Sequence, residues 1–282
     1  MFRKPVSGLA AIAVLLVCAA RAPGQEFSVH TQIFDVRPQA KDGKPARPRL
    51  VGSSTSLFHA GKVYDYQGTG NQITIYEPAH DRFVIVDPSR KMLTVIAFDV
   101  VENRLYQAGK NAEKKIQELR KENDAGAGKL ASLLEFYLSP RFQEEYHEKN
   151  HVLKLKGTAL SYEVKAAVRD SAEAAATYLD FADAMAKLNY LVNDQSPLPE
   201  PRLHLDRCLR QRGLLPTEIT LHSSHEKGLH LRAEHRFDWK LNGDDHAVIT
   251  EWEKLIVAGD VKHVTPQQFF EPAGPPKLDA RR

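Results

Sequence analysis

The sequence predicts an α+β protein, a strongly curved, half-barrel-like antiparallel β-sheet of about eight to eleven strands with helices packed on its concave face. Three observations predict it. Residues 50–99 read as a run of short strands separated by tight turns, a helical period takes over at Asp99, and alternating strands return after residue 141 and again after residue 217.

The run at 50–99 contains Val51–Phe58, Lys62–Tyr66, Gln72–Glu77, Arg82–Val86 and Lys91–Phe98, each rich in β-branched or aromatic residues. The gaps hold the Gly, Pro, Asn and Asp that a reversing backbone needs: Ala60-Gly61, Gln67–Asn71, Pro78–Asp81 and Asp87–Arg90. Strands joined this closely run antiparallel, because a parallel return needs a crossover of about a dozen residues or more. Phe83–Val86 and Met92–Phe98 are apolar on both faces. Such strands must be covered on both sides. One cover is expected to be helical, and the other a ligand, a partner or the rest of the curling sheet.

Ahead of this run, Glu26–Val36 alternates as a half-buried first strand, and residues 37–48 form a proline-rich loop. After it, Asp99-Val100-Val101-Glu102 matches a reciprocal helix cap, and Val101, Leu105, Ala108, Ala112, Ile116 and Leu119 form one apolar stripe. That helix is expected to end near Asn123, with Gly126–Gly128 as a break and a second helix over Lys129–Leu138. Strands follow at Phe142–His147, Val152–Lys156 and Leu160–Val168, the last two turning at Gly157-Thr158. A third helix starts at Ser171, and a fourth covers Leu203–Arg212 and stops at Gly213. The closing strands are Glu218–His222, Leu229–Trp239 and Ala247–Val257, with Asn242-Gly243 as a hairpin turn between the last two.

Three regions are expected: a signal peptide at 1–24, a single domain at 25–264, and a Pro-rich tail at 265–282 held by Phe269 and Phe270. Arg3 and Lys4 precede the apolar run Leu9–Ala20, and Ala22-Pro23-Gly24 supplies a small-residue exit. The run is shorter than the roughly 20 residues that span a bilayer, so no stable transmembrane segment remains after cleavage. Val17 argues against lipid attachment at Cys18. The protein is therefore expected in the periplasm or outside the cell. Without the leader's Arg3, Lys4 and Arg21, 36 basic residues face 36 acidic ones. That balance excludes a nucleic-acid binder, which needs a basic face. Cys208 is then the only cysteine, so no internal disulfide forms.

The sequence offers little chemistry. His204 and Cys208, four apart on a helix, allow a thiol nucleophile or a buried inert cysteine. His222-Ser223-Ser224-His225 beside Glu226 invites a metal, yet the spacing fixes no common face and supplies no third ligand at a recognised interval. His235 lies on the apolar face of its strand, as a core histidine does. No nucleophile elbow, P-loop, dinucleotide fingerprint or metalloprotease motif is present, so no catalytic residue, no metal and no cofactor is assigned.

The segments LFHAGKVYDY, ITIYEPAHDRFVIVDPSRKMLTV and GLLPTEITL resemble a group of exported bacterial proteins. More loosely, the order of elements is similar to the LolA/LppX-type lipoprotein-carrier superfamily. The cues are the strand-turn-strand IYEPAHDRFVIVDPSRK and the late strand at Leu215–Ile219. The long charged helix departs from those carriers. The resemblance implies a curled sheet with an apolar cavity beneath helices, and a lipid or lipoprotein as partner.

The expectation is a non-enzymatic envelope protein binding an apolar ligand, an acyl chain or lipoprotein, between sheet and helices. Its lining is drawn from Ile73, Ile75, Phe83, Ile85, Ile96, Phe98, Phe237 and Trp239. The alternative is an envelope scaffold or interaction module with a filled core. A third reading, a hydrolase, requires a pocket with converging His and carboxylate groups.

Overall fold

The computed structural model describes residues 26–37, 48–68, 72–122, 124–168, 172–193, 196–224 and 228–271. The expected leader with Cys18, the pair His225 and Glu226, and the tail beyond Glu271 lie outside the described residues.

The first meander runs through β1 (Phe27–Asp35), β2 (Arg49–His59), β3 (Lys62–Gln67), β4 (Ile73–Glu77), β5 (Arg82–Asp87) and β6 (Met92–Ala97). A helical hairpin follows, α1 (Phe98–Lys121) and α2 (Ala125–Leu138). The second meander is β7 (Gln143–His147), β8 (Val152–Lys156) and β9 (Leu160–Val168), then, after α3 (Ala172–Val192) and α4 (Glu200–Gln211), β10 (Leu214–Ser223) and β11 (His230–Asp238). The chain closes with α5 (Gly243–Val257), β12 (Lys262–His263) and α6 (Pro266–Phe270).

The twelve strands of the described residues belong to one sheet, ordered β12-β6-β5-β4-β3-β2-β1-β11-β10-β9-β8-β7. The two meanders are joined through β1 and β11, which pair antiparallel over Ser28–Asp238 to Asp35–Leu231. Among the described strands, only β12 runs parallel to its neighbour, β6. Pro216 lies within β10, where a shift of register beside it accommodates the missing N–H.

The sheet curves around α3, which touches both halves. Tyr178, Leu179 and Phe181 pack with Phe58, Leu153 and Val164. Farther along, Ala184 and Leu188 pack with Phe83, Ile85 and Ile96. Cys208 and Leu209 of α4 and Phe136 of α2 complete the first cluster, and Phe269 of α6 belongs to the second. The segment read as tail thus opens with a capped short helix, Thr265 accepting from the Gln268 backbone, and Phe269 is buried.

The principal correction concerns residues 242–257. The Asn-Gly pair is not a hairpin turn, and Ala247–Val257 is not a strand. Asn242 instead caps α5, its side chain accepting from Asp244 and Asp245 while Asp245 accepts from the Asn242 backbone N–H. Val248, Ile249, Trp252, Leu255 and Ile256 recur at helical spacing, and that face packs on Leu57, Tyr64, Ile73, Ile75, Val84 and Val86. The helix therefore covers the outer face of the first meander.

Three helix starts also differ, and α4 begins at Glu200, ahead of the expected Leu203, with Pro201 in its first turn. α1 begins at Phe98 with Ala97 at its cap and no side-chain capping bond, so Asp99 lies in the first turn. α2 begins at Ala125, because Asp124 accepts from the Ala127 backbone N–H and absorbs Gly126 and Gly128 into the helix.

Replacing Asn242 by Ala is expected to lower stability by about 1 kcal/mol through loss of the cap. Ile249→Ala, at a buried position against the outer face, is expected to cost about 2–5 kcal/mol. Urea unfolding of the two variants checks both, and a neutral Ile249→Ala would contradict the outer cover.

Candidate functional site

The eight apolar residues expected to line a ligand site fall into three clusters. Ile73 and Ile75 face outward beneath α5. Phe83, Ile85, Ile96 and Phe98 face inward beneath α1, α3 and α6. Phe237 and Trp239 stack on each other at 5.4 Å and border the sheet's central cluster, where Trp239 lies 5.3 Å from Phe27. The physical reason is strand alternation: an apolar run without alternation feeds two faces, and the eight side chains cannot share one cavity.

Of the eight, Phe83 and Phe98 border a cleft of about 240 Å³ between α1, α3 and the inner face. Tyr76 joins them. Its ring lies 5.7 Å from Phe83 and 5.6 Å from Phe98, and Phe83 and Phe98 are 5.0 Å apart. Register places Tyr76 opposite Phe83 on the same face. Val101 and Ala184 form the apolar sides, and Glu102, Asp180, Asp183 and Lys187 form the rim. Lys187 donates to Glu102 at 2.7 Å across the mouth, tying α3 to α1. Arg210 of α4 donates to Asp180 at 3.0 Å and to Asp183 at 2.9 Å.

Behind the rim lies a buried polar cluster that the apolar pattern did not announce. Arg202 donates through Nε to both oxygens of Asp206, at 3.1 and 2.9 Å, one turn apart on α4. Asp206 is fully buried, whereas Arg202 keeps 31% of its side chain exposed, so water reaches the pair from one side only. Burial pushes the Asp206 carboxyl up; Arg202 opposes the rise, and the neighbouring Asp183 adds to it. Asp183 Oδ1 is itself buried without a donor among the described residues.

A polar row crosses the inner face of the first meander. Ser56 faces Asp65, Asp65 faces Thr74, and Thr94 follows across Ile85. Ser56 donates to Asp65 at 2.6 Å, yet burial dominates and lifts the Asp65 carboxyl to about 6. His235 lies on the same inner side. Its Nδ1 is hydrogen-bonded to Thr31 at 3.0 Å, and Nε2 has no partner among the described residues. Burial, reinforced by the charge of Arg202, holds its pKa down at about 3, so the ring is neutral. Tyr178 packs 6.1 Å from His235 and is pushed up to about 12 by burial.

The thiol of Cys208 is not paired with His204. It donates to Glu144 at 3.3 Å, and burial followed by that carboxylate raises it to about 11. Such a thiol stays protonated and is a poor nucleophile. His204 packs against Phe142 at 5.1 Å. His222 meets His230 across the β10–β11 ladder at 3.1 Å between Nδ1 atoms, while His225 and Glu226 lie outside the described residues.

Tyr76, Val101, Ala184, Arg202 and Asp206 were missed as site residues. Tyr76 was within reach, since it shares a strand face with Thr74 and alternates with Ile73 and Ile75. Arg202 and Asp206 show only an i, i+4 spacing, which is ordinary on a solvated helix and becomes distinctive only once α4 is buried.

No protein-family model and no curated protein matches the chain. Among solved structures it is similar to the LolA superfamily protein NE2245 from Nitrosomonas europaea, at 9% identity and a TM-score of 0.29, over 79% of this chain and 90% of that one.

The Asp65 carboxyl gives a pH test. Its folded pKa, about 6, exceeds the ordinary 3.8, so between those values the native state holds a proton that the unfolded chain has released. Stability from this group falls as pH rises through that window. Asp65→Asn is expected to raise stability at pH 7.5 by on the order of 2 kcal/mol and to leave it nearly unchanged at pH 4. Urea unfolding at the two pH values checks this; a variant weakened at pH 7.5 would contradict it.

Proposed function

We propose that this chain is an exported, non-enzymatic binding protein that takes the end of an apolar chain, such as a lipid acyl group, into the cleft between α1, α3 and strands β4 and β5. The observation that carries the reading is the three-ring floor of Tyr76, Phe83 and Phe98, left open at a mouth framed by the Lys187–Glu102 pair. At about 240 Å³ the cleft is smaller than the roughly 300–1,000 Å³ of sites that engulf a drug-sized ligand. It suits a chain terminus or a single ring, with the rest of the ligand lying across α1 and α3. Export rests on the charged start and apolar run at residues 3–20. None of the described helices is long and apolar enough to cross a membrane.

A second reading, an envelope scaffold without a ligand, is favoured by a different observation. Both faces of β5 are covered by the chain's own helices, so that doubly apolar strand needs no ligand for shelter.

Ala184→Phe separates the two. Ala184 borders the cleft on α3, and a phenyl ring there would occupy it. Ligand binding predicts that the wild type takes up a fluorescent fatty acid and yields lipid on solvent extraction and mass spectrometry. The variant is expected to bind at least about tenfold more weakly, a loss of about 1.4 kcal/mol, with little change in melting temperature. A wild type that carries no lipid and binds no fatty acid leaves the scaffold reading in place.

A further inference from the structure

We propose that the chain holds a divalent first-row transition-metal ion, with zinc the best match, through Glu26, His59 and His246. These residues come from three parts of the chain. Glu26 immediately precedes β1, His59 is the last residue of β2, and His246 lies in the first turn of α5. Folding brings one ligand atom from each within 4.8 Å of the others. Glu26 Oε1 lies 2.7 Å from His59 Nδ1, and Glu26 Oε2 lies 3.5 Å from His246 Nε2. The two imidazoles stand nearly perpendicular, at 80°, with centroids 5.3 Å apart.

Two imidazole nitrogens and one carboxylate oxygen form the donor set that zinc accepts when it keeps a fourth position for water. Ligand atoms about 2.0–2.2 Å from a tetrahedral ion lie roughly 3.3 Å from one another. The Glu26–His246 separation already fits. The 2.7 Å contact with His59 is made by the other carboxylate oxygen, so the Glu26 carboxylate, with 38% of its side chain exposed, must rotate to set one oxygen against both imidazoles. The three side chains are 28–44% exposed, so an ion can enter from solvent.

The surroundings are compatible with a cation. Glu253 stands close enough to His59 for the two to interact electrostatically, and the Lys62 ammonium is engaged by Glu77 at 3.0 Å and Glu253 at 3.4 Å. Tyr64 donates to Glu253 at 2.6 Å, which fixes that carboxylate next to the site. A bound ion would tie the entry to β1, the β2–β3 turn and the start of α5 together. It would therefore fasten the helix that covers the outer face of the sheet. The sequence draws the eye to His222 and His225 for metal; the fold assembles different histidines, 187 residues apart in numbering, that no spacing rule connects.

The test uses tag-free protein, Zn²⁺ in calorimetry and Co²⁺ as a spectroscopic probe. One equivalent of Zn²⁺ is expected to bind and to raise the melting temperature, and Co²⁺ is expected to give visible bands typical of low coordination number. His59→Ala, His246→Ala and Glu26→Gln are each expected to weaken binding at least about tenfold and to abolish the melting shift, while keeping the wild-type circular dichroism. His222→Ala is expected to leave binding unchanged. Absence of Zn²⁺ binding to the wild type overturns the proposal. So does binding that survives the double variant His59→Ala/His246→Ala or disappears with His222→Ala. Because the partly exposed Glu26→Gln removes only a charged ligand, it keeps the test decisive if a histidine variant fails to fold.

Discussion

The structure depends on strand β5 being apolar on both faces, with β4 extending the outer apolar face and β6 the inner one. Ile73, Ile75, Val84 and Val86 point one way, and Phe83, Ile85 and Ile96 point the other. At about 25 cal/mol per Å² of apolar surface removed from water, neither face can be left wet without a large loss of stability. The inner face is met by α1, α3 and α6, and the outer face by α5. Placement of the helices on both sides of the first meander follows from that demand. The second meander makes no such demand on its outer face, where Lys154 pairs with Glu163 and Lys165 with Glu218 in partial contact with solvent.

Against this apolar frame, the concave side carries charge. Arg202 pairs with Asp206 within α4, Arg210 joins α4 to Asp183 of α3, and Asp65 and His235 sit on the sheet opposite. Burying such groups is costly unless they are paired, and each protonation state here bears the mark: two carboxyls are raised and one imidazole is kept neutral. Asp183 Oδ1, Thr94 Oγ1 and His235 Nε2 stay without partners among the described residues. An interior of this kind is less stable than a wholly apolar one. The aromatic-floored cleft lies at the edge of this cluster, sharing Asp183 with it.

Most strands were legible because their turns are written in Gly, Pro, Asn and Asp. Gly157 shows how narrowly one such turn is drawn: a Cβ there would meet Phe136 and the Leu160 carbonyl at 2.5 and 2.7 Å. The error at α5 is equally instructive. Asn-Gly-Asp-Asp serves a hairpin or a helix cap, and the decision lies with Asp245 three residues on and with the 3–4 spacing of Val248, Ile249, Trp252 and Leu255. The candidate lining was half legible in the same sense. Apolar residues were identified, but which face each served was not, because a run without alternation leaves the direction of each side chain open until its neighbours pair.

By itself the sequence determined the antiparallel meanders, the charged helix after Asp99 and the near-balance of charge, since these follow from local turn chemistry, periodicity and composition. Tertiary structure alone decided that β1 joins the two meanders through β11, that one face of α4 is buried with Asp206 inside, and that Glu26, His59 and His246 meet. The reason is distance along the chain. Pairing and side-chain convergence across dozens to hundreds of residues leave no mark in local spacing, and are set by which faces remain to be covered once the sheet has formed.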